Sequence, residues 1–397
     1  MTTTTAIRSF RIDVPQAELD DLRARLAHTR WPGELPGVGW TRGVPTSYLK
    51  RIADYWQHTY DWRKAEAQLN ELPQFVTEVD RQPIHFAHVR SAEPTARPLL
   101  MVHGWPSSFA EFANVVGPLT DPVAHGGKAE DAVHLVLPSI PGYGYSPVTE
   151  AGWGNLFRVA AAFAEVMTRL GYDRFLAQGT DVGSGIVGML PMVAPGQVIA
   201  SHVNGPAPFP FGPELSLDGL EGSQLERAER FNAWRQDGIG YLSIQSTRPQ
   251  TLSYGLTDSP VAQLAWIVEK FKEWTDSKAE LPEDAVDLDQ LLTNVSIYWF
   301  NELGWSSAHS VYEGMEAYRQ FASRSDEPAA EGGGWEAPPM PPTAVAVFEA
   351  DLSVRREVDP YGAYTAWTEY DRGGHFPAME VPELLVDDIR TFFRSHR

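Results

Sequence analysis

The chain has 397 residues, enough for one large α/β domain with additions and a substantial core. Hydrophobic residues make up 43% and charged residues 21%, and 32 basic against 52 acidic residues give a formal charge of −20, which disfavours nucleic acid and anionic membrane as partners. There is no cysteine, which removes disulfides, thiolate nucleophiles, iron–sulfur clusters and cysteine-held zinc together.

Residues 1–5 read as a frayed tail, and no window approaches 18 uninterrupted apolar residues, so the expectation is a cytoplasmic protein without leader or membrane span. Residues 7–14 alternate apolar and polar as a strand does, and Leu19, Leu22 and Leu26 then share one helical face. A Gly- and Pro-rich loop over 31–45 leads to helical segments over 47–60 and 62–72 and strands over 74–79 and 84–89. This region has too few strands for a catalytic layer and reads as an extension packed on the core. Leu99-Leu100-Met101-Val102 is a continuous apolar run, as expected of a central parallel strand buried on both faces, and it ends in His103-Gly104-Trp105-Pro106. A second buried strand covers 135–140. Helix 156–170, a strand from Phe175, helix 186–192 and strand 198–203 continue the alternation of a doubly wound, mostly parallel α/β sheet. Residues 206–321 are almost wholly helix-compatible, a lid-like insertion. A Gly-, Pro- and acid-rich linker over 323–342 then returns the chain to strands over 344–348 and 363–369 and a closing helix over 382–393. The expected organisation is an extension over 1–90, core over 91–205, lid over 206–324 and core again over 325–397.

The pattern Gly179-x-Asp181-x-Gly183 lies between a strand and a helix and has the form of the nucleophile elbow of the α/β-hydrolase fold. The plainer alternative is an aspartate capping the next helix. A carboxylate at the apex argues for displacement at an sp³ carbon through an alkyl ester. In that fold the order is nucleophile, acid, histidine. Asp181, Asp351 and His375 satisfy it, with Glu349 as the alternative acid. The backbone N–H groups of Trp105 and Val182 are placed to hold the ester oxygen, with Trp105 and Pro106 at the substrate. Opening an epoxide needs a hydrogen bond to the departing oxygen, and a phenol supplies one at neutral pH. Tyr241 and Tyr312 are lid candidates that periodicity alone does not separate from Tyr254, Tyr298 or Tyr318.

These motifs resemble the microsomal-type epoxide hydrolases, including bacterial soluble members, over nearly the whole length. The resemblance is carried by Thr29-Arg30-Trp31-Pro32, the His-Gly-Trp-Pro turn, the elbow, Gly240-Tyr241, Leu291-Leu292-Thr293-Asn294-Val295 with Tyr298-Trp299, and Arg372-Gly373-Gly374-His375-Phe376. It implies conversion of an epoxide and water to a vicinal diol with no cofactor and no metal. The implied roles are Asp181 as nucleophile, His375 as base, Asp351 as its partner, and Tyr241 with Tyr312 as the oxygen-activating pair. It also makes a bulky natural-product epoxide a plausible substrate and a homodimer one compatible assembly. Where the family often has tryptophan after the nucleophile this chain has Val182, which alters a pocket wall. The same valine argues against a haloalkane dehalogenase, which needs a halide donor there, and the intact acidic-histidine order argues against a non-catalytic ligand-binding relative.

Overall fold

The computed structural model describes residues 6–325 and 339–396. The frayed tail and most of the expected linker lie outside them. Nine strands form one sheet: β1 (Arg8–Phe10), β2 (Gln74–Val79), β3 (Gln82–Val89), β4 (Arg97–Val102), β5 (Val133–Pro138), β6 (Phe175–Thr180), β7 (Val198–Asn204), β8 (Thr343–Val347) and β9 (Ala366–Glu369). Their order is β1-β2-β3-β5-β4-β6-β7-β8-β9. From β5 to β9 every pairing is parallel, and β1, β2 and β3 join antiparallel at one side. The leading region therefore adds three strands to the catalytic sheet itself, where the sequence suggested only an extension lying on it. The alternating segment over 7–14 contributes just three residues of strand before helix Gln16–Ala27 begins.

Leu99 to Val102 in β4 and Phe175 to Ala177 in β6 are fully buried, which matches a central parallel strand covered on both faces. Helix Leu156–Arg169 packs on helix Val182–Val193, and helix Pro382–Arg394 packs on helix Ala113–Thr120. The register sets Val102 beside Gly179, Thr180 beside Asn204, and Asn204 beside Ala346. The carboxyl ends of β4, β6, β7 and β8 are thus level, and the loops leaving them meet at one edge. Ligands of open α/β sheets bind at such an edge.

The lid enters between β7 and β8. It contains helices Gly222–Ala233, Gly240–Gln245, Pro249–Asp258, Pro260–Trp274, Leu288–Phe300 and Leu303–Ser325. Helix Thr46–His58 and its neighbours support it from the amino-terminal side: Trp56 Nε1 donates to Ser296 Oγ at 3.0 Å, and the hydroxyls of Tyr60 and Thr293 are 2.9 Å apart. Among the described residues no helix is long and apolar enough to cross a membrane.

Candidate active site

Asp181 stands between β6 and helix Val182–Val193 with φ 52° and ψ −123°, a conformation that costs a non-glycine residue about 1–3 kcal/mol. The turn is possible because its neighbours are small. A Cβ on Gly183 would lie 2.1 Å from the Val102 carbonyl oxygen, and one on Gly104 would lie 2.3 Å from Asp181 Cβ. The Asp181 side chain makes no capping hydrogen bond to the helix. Instead its Oδ1 accepts the Trp105 backbone N–H at 2.8 Å. Its other oxygen, Oδ2, lies 3.7 Å from His375 Nε2.

The turn that carries the Trp105 N–H is held by the lid. Asn294 Nδ2 donates to the Pro106 carbonyl at 2.7 Å, and the Tyr298 hydroxyl donates to the Ser107 carbonyl at 3.0 Å. Ser107 Oγ donates to Glu111, whose buried carboxyl is pushed up to about 8 chiefly by burial. Pro106, expected at the substrate, is buried behind the turn. It is absent from the linings of the three cavities that meet at Asp181.

His375 lies in the loop before the last two helices, and the lid fixes that loop as well. The His375 N–H donates to the Trp274 carbonyl at 2.8 Å, the Gly373 N–H to Asp276 Oδ2 at 2.8 Å, and the Asp276 N–H to Glu380 Oε2 at 2.8 Å. Burial holds the imidazole below its usual value, opposed by the nearby Asp181 charge, and this favours the neutral form a base requires. Asp351 is 7% exposed and lines the same cavity as His375 and Asp181. Burial pushes its carboxyl up to about 7, partly offset by the Phe348 N–H that Oδ2 accepts at 2.6 Å and by Arg227 and Arg230. No hydrogen bond joins Asp351 to His375 among the described residues. Glu349 is turned away to Arg230, 2.8 Å distant, and to the Ser277 N–H at 3.2 Å.

Asp181 lines three cavities, one of which, of about 370 Å³, reaches neither Tyr241 nor His375. The other two both reach Tyr241. One, of about 280 Å³, holds His375, Asp351 and Asn204. The other, of about 300 Å³, is mainly apolar and is lined by Trp105, Tyr241, Val182, Val311, Met315 and Leu156 among others. Tyr241 stacks on Trp105 with centroids 5.0 Å apart and planes 6° from parallel. Its hydroxyl is raised well above the usual phenol value by burial, Asp181 and Glu273, so it stays protonated. Tyr312 does not reach either of these cavities: its side is 37% exposed. Helix Leu303–Ser325 presents Val311, Gly314, Met315 and Tyr318 to the second cavity, at i, i+3, i+4 and i+7 spacing, so residue 312 is rotated about 100° off that face.

Residues 7–112 match the model described as "Epoxide hydrolase N terminus", and residues 97–227 match the α/β hydrolase fold. A putative epoxide hydrolase of Stigmatella aurantiaca is 43% identical over 98% of this chain and 86% of its own length. Epoxide hydrolase 1 of Sus scrofa is 34% identical over 98% of this chain and 88% of its own. The solved Aspergillus niger epoxide hydrolase superposes with a TM-score of 0.82 at 29% identity, covering 100% of this chain and 98% of that one. The chain belongs to the microsomal-type epoxide hydrolase family.

Several residues that organise this epoxide hydrolase site carry no signal in the amino-acid pattern. Trp274, Asp276 and Glu380 end or follow helices of ordinary pattern, and only their placement against the His375 loop distinguishes them. Asn294 and Tyr298 belong to the motif over 291–299, and periodicity does not show that they grip the turn carrying Trp105.

Proposed function

We propose that Asp181 opens the epoxide as a nucleophile and that the resulting ester is hydrolysed with His375 as base. The observation carrying this reading is the split environment of one strained carboxylate, with Oδ1 fixed by the Trp105 N–H and Oδ2 toward His375. In the first step Oδ2 attacks an epoxide carbon, the C–O bond breaks, and the departing oxygen takes its pair of electrons and the Tyr241 proton. In the second, His375 removes a proton from water and the oxygen attacks the ester carbonyl carbon. The Trp105 N–H, with that of Val182, stabilises the tetrahedral oxyanion, which collapses to release the diol and restore the carboxylate. Asp351 stabilises the imidazolium formed on the way, and the proton returns to Tyr241 through solvent. The separate cavities suit this order, with the epoxide on the apolar side and water on the imidazole side. The apolar lining favours a neutral epoxide with aryl or alkyl substituents, and a bulky natural-product epoxide belongs to that class.

His375→Gln should form the ester and fail to hydrolyse it. After exposure to styrene oxide, intact-mass measurement should show one adduct, and peptide mapping should place it on Asp181. A variant that turns over at the native rate with no adduct refutes the scheme.

A further inference from the structure

Lys270, on helix Pro260–Trp274, is only 1% exposed, an unusual place for an ammonium. Its Nζ lies 2.8 Å from Glu269 Oε1 and 2.6 Å from Glu273 Oε2. Those carboxylates are themselves 30% and 39% exposed, so pairing with them does not require a buried lysine. What burial does achieve is contact with an aromatic cluster. The same Nζ lies over the Tyr241 ring, 4.6 Å from its centroid, and 5.6 Å from that of Trp274. Tyr241 in turn stacks on Trp105, whose backbone N–H holds Asp181.

We propose that Lys270 is a positioning residue for epoxide opening: its ammonium against the Tyr241 ring fixes the phenol over the site and strengthens its O–H as a donor to the departing oxygen. The inference rests on the two-step reading and adds a residue to its first step. A cation at the π-face withdraws electron density from the ring, so the hydroxyl hydrogen bonds more strongly to a developing alkoxide. The other charged groups about Tyr241 act in the opposite sense. Asp181 approaches from the elbow and Glu273 from the lysine's own helix, and both disfavour loss of the phenol proton. Asp237, in the turn over 234–238, bears on Glu273 rather than directly on the ring. Glu269 pairs with Lys270 and lies near Gly43. His375 touches Trp274, with centroids 4.8 Å apart, and belongs to the second step.

The test separates the two half-reactions by rapid quench with excess enzyme over styrene oxide. Lys270→Met should slow ester formation about tenfold and leave ester hydrolysis unchanged, while Lys270→Arg should recover most of the rate. In a Tyr241→Phe background, Lys270→Met should have no further effect. Should Lys270→Met fold poorly because Glu273 loses its partner, Lys270→Met/Glu273→Gln is compared with Glu273→Gln alone, against which it should form ester about tenfold more slowly. Native ester formation in a folded methionine variant, equal slowing of both half-reactions, or full additivity with Tyr241→Phe would overturn the proposal. An absence of any ester in the native protein would instead overturn the two-step reading.

Discussion

Asp351 must be an anion to stabilise an imidazolium, yet it is held in surroundings that push its carboxyl up to about 7, mainly through burial. The unfolded value is about 3.9, so the protonated form is favoured on folding. The associated stability is complete below about pH 4 and is lost as pH rises through about 7. Asp351→Asn keeps an oxygen for the Phe348 N–H and removes the ionisation. It should abolish efficient ester hydrolysis while raising stability by about 1–3 kcal/mol at pH 8, with little gain at pH 4. Melting temperatures of the two proteins across that range check this, and a difference that does not grow with pH refutes it. The tyrosines give a second contrast. Tyr241→Phe should slow ester formation by about 10²-fold or more, whereas Tyr312→Phe should change it less than about twofold, because residue 312 faces away from the cavity. Comparable losses in the two variants would show that the helix sits differently in solution.

At the level of elements, helix Leu288–Phe300 does more than close the site, because Asn294 and Tyr298 bind consecutive carbonyls of the turn that offers the Trp105 N–H. Asn294→Leu leaves the buried Pro106 carbonyl without its donor, at a cost of about 1–3 kcal/mol. A displaced N–H stabilises the oxyanion less well, so ester hydrolysis in the folded variant should fall about tenfold or more. An unchanged hydrolysis rate in single turnover would assign Asn294 to packing alone. Parts of this arrangement are legible in the amino-acid pattern. β4 shows the unbroken run Leu99 to Val102, and the strand leading to Asp181 a shorter one, Phe175 to Ala177, because a strand covered on both faces needs little polar side chain. The elbow is legible because only small residues tolerate its close approaches. The elbow helix starts at Val182, four residues earlier than its apolar pattern suggests, because Gly183, Ser184 and Gly185 are poor helix formers that the tight turn requires. The rotation of helix Leu303–Ser325 is not legible: Val311 and Tyr312 are adjacent in sequence, and packing alone decides which meets the cavity. Lys270 is hidden for the opposite reason, since a lysine among Glu269, Lys272 and Glu273 ordinarily marks the solvent face.

Across the whole molecule, the amino-terminal region links the sheet to the lid. It supplies β1, β2 and β3 on one side, with β3 pairing antiparallel to β5 through Phe86 beside Pro138. On the other side its aromatic residues reach successive points of the lid: Tyr48 donates to Glu283 at 2.6 Å, Tyr55 to Asp289 at 2.9 Å, and Trp56 to Ser296 at 3.0 Å. Glu283 precedes helix Leu288–Phe300, and Asp289 and Ser296 lie on it, the helix whose Asn294 and Tyr298 hold the catalytic turn. A mechanical route therefore runs from helix Thr46–His58, through the lid, to the donor on Asp181. Trp56 is 3% exposed, so Trp56→Ala should cost about 3–5 kcal/mol through the cavity it leaves, with the Ser296 hydroxyl losing its partner as well. Because the route ends on that donor, ester hydrolysis at a temperature where the variant is fully folded should also slow several-fold, although Trp56 lies outside the linings of the three cavities that meet at Asp181. Calorimetry paired with single-turnover hydrolysis distinguishes the cases. A lower melting temperature with native hydrolysis would make the extension a support for folding alone, whereas a loss in both would make it part of the apparatus that sets the oxyanion donor.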